Sequence, residues 1–320
     1  MCTARSIRAA AAVMVAGLLF IGVSQAAAPM IKKQAPGYYR MMLGDFEVTA
    51  LSDGTLQLKA SELLTNANPT RVGKSLARAF LVEPVETSVN GFLINTGQKL
   101  VLVDTGAGTA FGPSLGKLAA NLQASGYTPE QVDEVYVTHM HGDHVGGLLA
   151  GVKLAFPNAT VRADRREADY WLSKEKMDAA PPDARDGFAH AMALLSPYVA
   201  AGRFKPFDGD TELVPGVRAL ASYGHTAGHT TYVVESKGQK LVLWGDLMHV
   251  AAVQFGEPSV TIKYDKDAQA AAAQRSKAFA AAARDGYWVG AAHLAFPGIG
   301  HLRAEGRAYA FAPANYTQPQ

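Results

Sequence analysis

The stretch THMHGDHVGG, residues 138–147, puts three of the chain's nine histidines and an aspartate within six positions and follows them with two glycines. No other segment constrains the fold as much. VDEVYVTH (132–139) has strand character and runs straight into the cluster. His139 and His141, two apart at a strand end, therefore project to the same side. The chain then turns at Gly142, so Asp143 and His144 can face a second point. One short loop thus offers ligands to two neighbouring metal positions. Imidazole with carboxylate suits zinc and other borderline divalent ions. The zinc-protease pattern HExxH is absent.

The surrounding segments alternate between strand and helix character. FEVTALSDGTLQL (46–58) reads as two runs around Asp53-Gly54, a hairpin signal, and GFLINTGQKLVLVDTG (91–106) as a second hairpin. LGKLAANLQASG (115–126) has helical spacing and a terminal glycine. A helix is expected after Gly146-Gly147, another over READYWLSKEKM (166–177), and a loop around Pro181-Pro182. From Gly216 come three short β-rich runs, GVRALAS, TTYVVES and QKLVLWGD. An alanine-rich helix over 265–286 and a strand over YWVGAAH (287–293) follow. This order predicts an α/β chain of two halves, with sheets inside and helices outside.

The first 26 residues stand apart. Arg5 and Arg8 precede an apolar run, Ala9 to Val23, and Ser24-Gln25-Ala26 supplies small residues at the −3 and −1 positions of a cut. That is the order of a secretory signal peptide over 1–26, and it predicts a periplasmic or secreted protein with no membrane contact after cleavage. The run is short for a membrane span. Residues 27–36 read as a flexible lead. Removal of 1–26 takes Cys2, the only cysteine, and leaves 28 Lys and Arg against 28 Asp and Glu. The remainder has neither a disulfide nor a thiolate ligand, is formally neutral and has no basic tract suited to nucleic acid.

Further histidines recur in SYGHTAGHTTYVV (222–234), WGDLMH (244–249) and GAAHLAFPG (290–298). HxHxDH, then GHTxGH, then a GD after a β-run, then a late lone histidine resembles the metallo-β-lactamase superfamily. Residues 36–50, 101–108, 233–255 and 291–306 resemble methyl parathion hydrolase and its exported relatives. The resemblance implies an αββα four-layer sandwich over 37–320 and a binuclear, metal-dependent hydrolase. It assigns His139, His141 and His225 to one metal, Asp143, His144 and His293 to the other, and Asp246 as the bridge. The metals would be two divalent ions, zinc foremost, with cobalt, manganese or iron as alternatives. Cysteine-ligated β-lactamases are excluded by the missing thiolate. The histidine-rich β-lactamases generally lack the bridging aspartate. Export and neutral charge count against the RNA-processing nucleases and the glyoxalase II thioesterases.

The same resemblance implies attack by a hydroxide shared between the metals. The substrate would be a small neutral lactone, aryl ester or phosphotriester, and the family allows a homodimer. An aromatic cluster over the metals maps onto Phe111, Trp171 and Phe188, although residues at such spacing equally fill core. His249, three beyond Asp246, is expected on the rim of the site with a catalytic role. It would orient the oxyanion of a carbonyl substrate, favouring lactones or aryl esters over phosphotriesters. The phosphotriester-degrading relatives carry an aliphatic residue there. Asp104 reads as a buried acid that supports a ligand, His229 as a local hydrogen-bonding group, and His301 as structural. His190, in a helical stretch, is not expected to ligate.

Overall fold

The computed structural model describes residues 28–317. The signal-peptide reading, with Cys2, lies outside the described residues. Residues 28–36 are exposed and carry no helix or strand, and the compact unit begins at Pro36.

Two mixed sheets form the body. The first has six strands in the spatial order Tyr38–Leu43, Phe46–Leu58, Val85–Asn95, Leu100–Val103, Glu134–Tyr136, Thr160–Arg162. The second has seven, in the order Thr211–Val214, Val217–Ala221, Thr230–Ser236, Gln239–Leu243, Trp288–Gly290, Ile299–Glu305, Ala308–Pro313. Side chains alternate across each strand, and that alternation builds the layers. Val101 and Val103 face inward with Phe92, Ile94 and Tyr136 to meet Tyr232, Val234, Leu241 and Leu243 of the other sheet. Leu100, Leu102 and Val135 face outward onto Leu118, Leu122, Leu194 and Leu195 of the helices Leu118–Ala124 and Arg185–Ala200. Val233, Val242 and Val289 cover Phe279 and Ala282 of the helix Ala268–Asp285. The result is helix, sheet, sheet, helix: the four-layer sandwich. Among the described residues no helix is long and apolar enough to cross a membrane.

The single helix expected over 166–177 is two, Arg165–Trp171 and Lys174–Ala179, and two further local expectations are corrected. Phe46–Leu58 is one continuous strand, with a register shift between Ser52 and Gly54 and no hairpin. Asp53 is buried at that bulge, and its carboxylate accepts from the backbone N–H groups of Ala107, Gly116 and Leu118 at 2.9–3.0 Å. The Asp-Gly pair thus anchors a neighbouring loop and does not reverse the chain. No helix follows Gly146-Gly147 either. A helical turn, Gly142–Val145, precedes them, and the chain passes into a 3-10 turn and a short strand. The two glycines serve close approach: a Cβ on Gly146 would stand 2.1 Å from the Ala107 carbonyl oxygen, and one on Gly147 2.0 Å from that of Thr105. The alanine-rich helix starts where the Asp267 side chain accepts from the Ala270 N–H and stops at Gly286, whose φ is +65°.

Candidate metal centre

Parallel pairing sends several chain ends to one edge of the sandwich. Leu100–Val103 runs parallel to Glu134–Tyr136, so Asp104 and the segment 138–144 emerge together. Gln239–Leu243 runs parallel to Trp288–Gly290, so Asp246 and His293 emerge together from the other sheet. His225 sits in the connection between Val217–Ala221 and Thr230–Ser236. Open α/β sheets commonly bind ligands at such carboxyl ends.

There the seven residues assigned to metals from the sequence converge. His139, His141, His225 and Asp246 offer atoms within 4.8 Å of one another, as do Asp143, His144 and His293. The Asp246 carboxylate stands between the groups. Its Oδ2 lies 3.6 Å from His139 Nε2 and 3.4 Å from His225 Nε2. Its Oδ1 lies 3.1 Å from His144 Nε2, and His293 Nε2 lies 3.2 Å from both oxygens. His141 Nδ1 is 3.0 Å from His139 Nε2 and 3.1 Å from His225 Nε2. Asp246, His249 and His293 also bring ligand-type atoms within 4.8 Å of one another.

Outer partners fix how these rings point. His144 Nδ1 meets Asp104 Oδ2 at 2.8 Å, His225 Nδ1 meets Asp265 Oδ1 at 2.8 Å, and His293 Nδ1 meets the Ser88 carbonyl at 2.9 Å. With Nδ1–H donating outward, each Nε2 faces the cluster. Burial lowers the pKa of all three rings, yet Asp246 and the neighbouring acids outweigh it and raise them in the metal-free protein, and a bound cation would take the place of the Nε2 proton. Asp104, at φ +59°, also accepts from the Thr138 N–H and hydroxyl. His229 Nε2 accepts from the Asp246 N–H at 3.0 Å while its Nδ1 meets the Ser222 carbonyl, so it holds the backbone of Asp246.

The donor set fits divalent cations on an observation of its own. His144 Nε2 and Asp246 Oδ1 are buried without a hydrogen-bond partner although they face each other at 3.1 Å. Buried polar atoms are ordinarily satisfied, and a cation between these two would satisfy both. Burial and neighbouring imidazoles hold His139 and His141 well below the ordinary histidine range, which leaves them neutral and ready to ligate. Burial raises the Asp246 carboxyl, yet His144, His293, His249 and His139 outweigh it and hold the group well below its usual range. Asp246 is therefore an anion.

A cavity of about 370 Å³ opens over the cluster, lined by His141, Asp143, Asp246, His249 and His293 on its floor and by Leu56, Leu58, Phe111 and Tyr264 on its walls. A second, of about 320 Å³, lies across Phe111 and is lined by Met140, Trp171, Gly187 and His190. Phe111 is half exposed and borders both. Phe188 does not line either. It is 1% exposed and packs behind Trp171 and Tyr170, with ring centroids 4.9 and 5.0 Å away. Its place on the inner face of the helix Arg185–Ala200 makes it core, a correction to the pocket reading. His249 sits on the cavity floor, buried, with Nε2 3.0 Å from Asp246 Oδ2. His190 is in the second cavity and outside the cluster, and His301 packs on Trp288. Sequence reasoning missed Asp265, Ser88, Thr138 and Tyr264. Thr138 only precedes the HxHxDH motif, the other three lie outside any motif, and Asp265 is 40 residues from the histidine it contacts.

The model of the metallo-beta-lactamase superfamily matches residues 84–293. An N-acyl homoserine lactonase of Bacillus cereus is 28% identical over 171 residues, 48% of this chain and 60% of that protein. A second, from Bacillus thuringiensis, is 28% identical over 38% of this chain and 40% of its own length. The chain thus matches about half the length of these curated relatives. Among solved structures, hydrolase AbOPH in the beta-lactamase superfamily is 36% identical, with a TM-score of 0.85 over 89% of this chain and 100% of its own. AidC, a dizinc quorum-quenching lactonase in complex with a product, is 25% identical, with a TM-score of 0.81 over 88% and 99%. With the four layers, the convergent histidines and these matches together, the chain belongs to the metallo-β-lactamase superfamily.

Proposed function

We propose that this chain is an exported binuclear metal-dependent hydrolase of lactones and aryl esters, with phosphotriesters as poorer substrates. The observation that carries the reading is the Asp246 carboxylate, which stands within 3.6 Å of ligand-type side chains of both groups, Oδ2 towards His139 and His225, Oδ1 towards His144, and both oxygens 3.2 Å from His293. His139, His141, His225 and Asp246 would hold one cation, and Asp143, His144, His293 and Asp246 the other, with zinc the best fit to this donor set. When bound, such a pair makes water nucleophilic at neutral pH and polarises a carbonyl oxygen.

The chain's own groups supply the rest. Asp104, Asp265 and the Ser88 carbonyl keep the ligand rings aimed inward, so little reorganisation is needed on binding. The apolar walls at Leu56, Leu58 and Phe111 suit a neutral substrate and shield the reacting carbonyl from bulk water. His249 lies on the cavity floor with Nε2 3.0 Å from Asp246 Oδ2, so an N–H there donates to that carboxylate and borders the place where an oxyanion would form. A phenolate leaves an aryl ester without a general acid, and the alkoxide of an opened lactone takes up the proton that the attacking hydroxide brought into the new carboxyl group. AidC is a dizinc quorum-quenching lactonase in complex with a product, an N-acylated L-homoserine, and the curated Bacillus relatives are N-acyl homoserine lactonases. Both support the lactone assignment. The likeness of residues 233–255 and 291–306 to methyl parathion hydrolase supports phosphotriesters as the second substrate class.

Purified protein loaded with zinc is expected to contain about two ions per chain and to turn over a chromogenic aryl ester and a γ-lactone. Chelation should abolish turnover and added metal restore it. Equal activity in chelated and loaded protein, or none with any ester, lactone or triester, would exclude this function. Export rests on the pattern of residues 1–26. N-terminal sequencing of protein from the native host is expected to start near Ala27, and a cytoplasmic product starting at Met1 refutes it.

A further inference from the structure

One fully buried carboxylate lies beside the centre with no part in the chemistry above. Glu167, in the helix Arg165–Trp171, is 0% exposed. Its Oε1 accepts from the Met140 N–H at 2.8 Å. Its Oε2 accepts from the Thr226 hydroxyl and the Gly228 N–H, both at 2.7 Å. Met140 stands between His139 and His141, and Thr226 directly follows His225. One side chain therefore joins the two loops that bring three histidines to a common point, although those loops come from different sheets.

We propose that Glu167 is the positioning residue of the three-histidine position, setting the affinity of that position alone. The proposal rests on the binuclear reading. Its physical basis is the number of acceptors: a carboxylate offers both oxygens, and here both are in use. An amide offers one oxygen, so glutamine in either orientation turns an NH₂ group towards a backbone N–H. The fit leaves no slack. A Cβ on Gly228 would stand 2.4 Å from the Glu167 backbone nitrogen and 2.7 Å from its Cβ. The helix start is itself fixed, since the Asp164 carboxylate accepts from the Arg166 N–H, the Gly209 N–H and the Tyr223 hydroxyl. The His139, His141 and His225 geometry is thus referred to a rigid element outside the cluster. His144 and His293 are held by other partners, Asp104 and the Ser88 carbonyl. A change at Glu167 is accordingly selective.

The test is a zinc titration of metal-free full-length protein, read by competition with a chromogenic chelator. Parent protein is expected to bind two ions. Glu167→Gln should bind one with parental affinity and the other about 10–100-fold more weakly, the range for partners one layer behind a ligand. In a His293→Ala background, which leaves the three-histidine position as the stronger one, Glu167→Gln should cause the same loss. Thr226→Val removes a single one of the three bonds and should weaken the same position by a smaller factor. It also serves as the test if Glu167→Gln does not fold. Unchanged affinities, or both positions weakened equally, overturn the proposal. A parent that binds fewer than two ions overturns the binuclear reading and this proposal together. Two parental ions with no selective loss overturn this proposal alone.

Discussion

Asp246→Ala is expected to bind one zinc ion or none and to lose at least about 100-fold in kcat/KM, since the loss of even an outer partner costs about 10–100-fold. The carboxylate has five imidazole nitrogens within 3.6 Å, from His139, His144, His225, His249 and His293. It is the shared anion of the cluster, and it is 3% exposed. Without it, two dications would approach each other in a poorly solvated site with no charge between them. The metal-free protein suffers in the same sense, because the imidazoles lose their common counter-charge. Asp246→Asn separates charge from shape: it keeps the volume and one oxygen, and it should fall between parent and Asp246→Ala in metal content. Elemental analysis and ester turnover on the three proteins decide it. Two tightly held ions in an active Asp246→Ala protein would remove Asp246 from the bridging place.

The convergent residues were legible because their chemistry is local. HxHxDH places four ligand-type groups within six residues, and a strand end dictates which way they face. The layers were legible for a related reason: short β-rich runs such as LVLV and TTYVV, with no polar face, mark strands covered on both sides. What could not be read were contacts made at a distance. Asp265 reaches His225 across 40 residues, and Glu167 reaches Gly228 across 61, with no periodicity to announce either. Helical spacing showed Phe188 on an apolar face without saying whether that face met the cavity or the core. At Asp53-Gly54 the local turn signal was real, but three N–H groups from a loop more than 50 residues away took the aspartate for themselves. Tertiary hydrogen bonding overrode turn propensity at that point.

His249→Leu is expected to shift the ratio of kcat/KM for an aryl lactone over that for a dimethyl aryl phosphotriester towards the phosphotriester, by about 1–3 kcal/mol of transition-state energy. The residue is placed to discriminate. Its backbone N–H is fixed by Gln254 Oε1 at 2.8 Å, and its ring stacks on His293 at 5.2 Å between centroids. Its Nε2 lies 3.0 Å from Asp246 Oδ2, and the ring forms part of the cavity floor. Attack on a flat carbonyl creates one oxyanion at a tetrahedral carbon, and a fixed polar ring beside that point, its Nε2 shared with Asp246, favours the developing charge more than leucine would. Attack on phosphorus passes through a five-substituent geometry with two alkoxy groups to accommodate. For that substrate a rigid imidazole takes up apolar room that leucine would supply. The imidazole is also exposed to an unpaired demand, since its Nδ1 is buried with no partner. Leucine removes that unsatisfied atom, so the variant is expected to fold. Steady-state kinetics on both substrates, in the parent and in His249→Leu at equal metal content, separate a change in substrate preference from a change in metal loading. An unchanged ratio, or a parent that already prefers the phosphotriester, would show that His249 only braces the end of its strand.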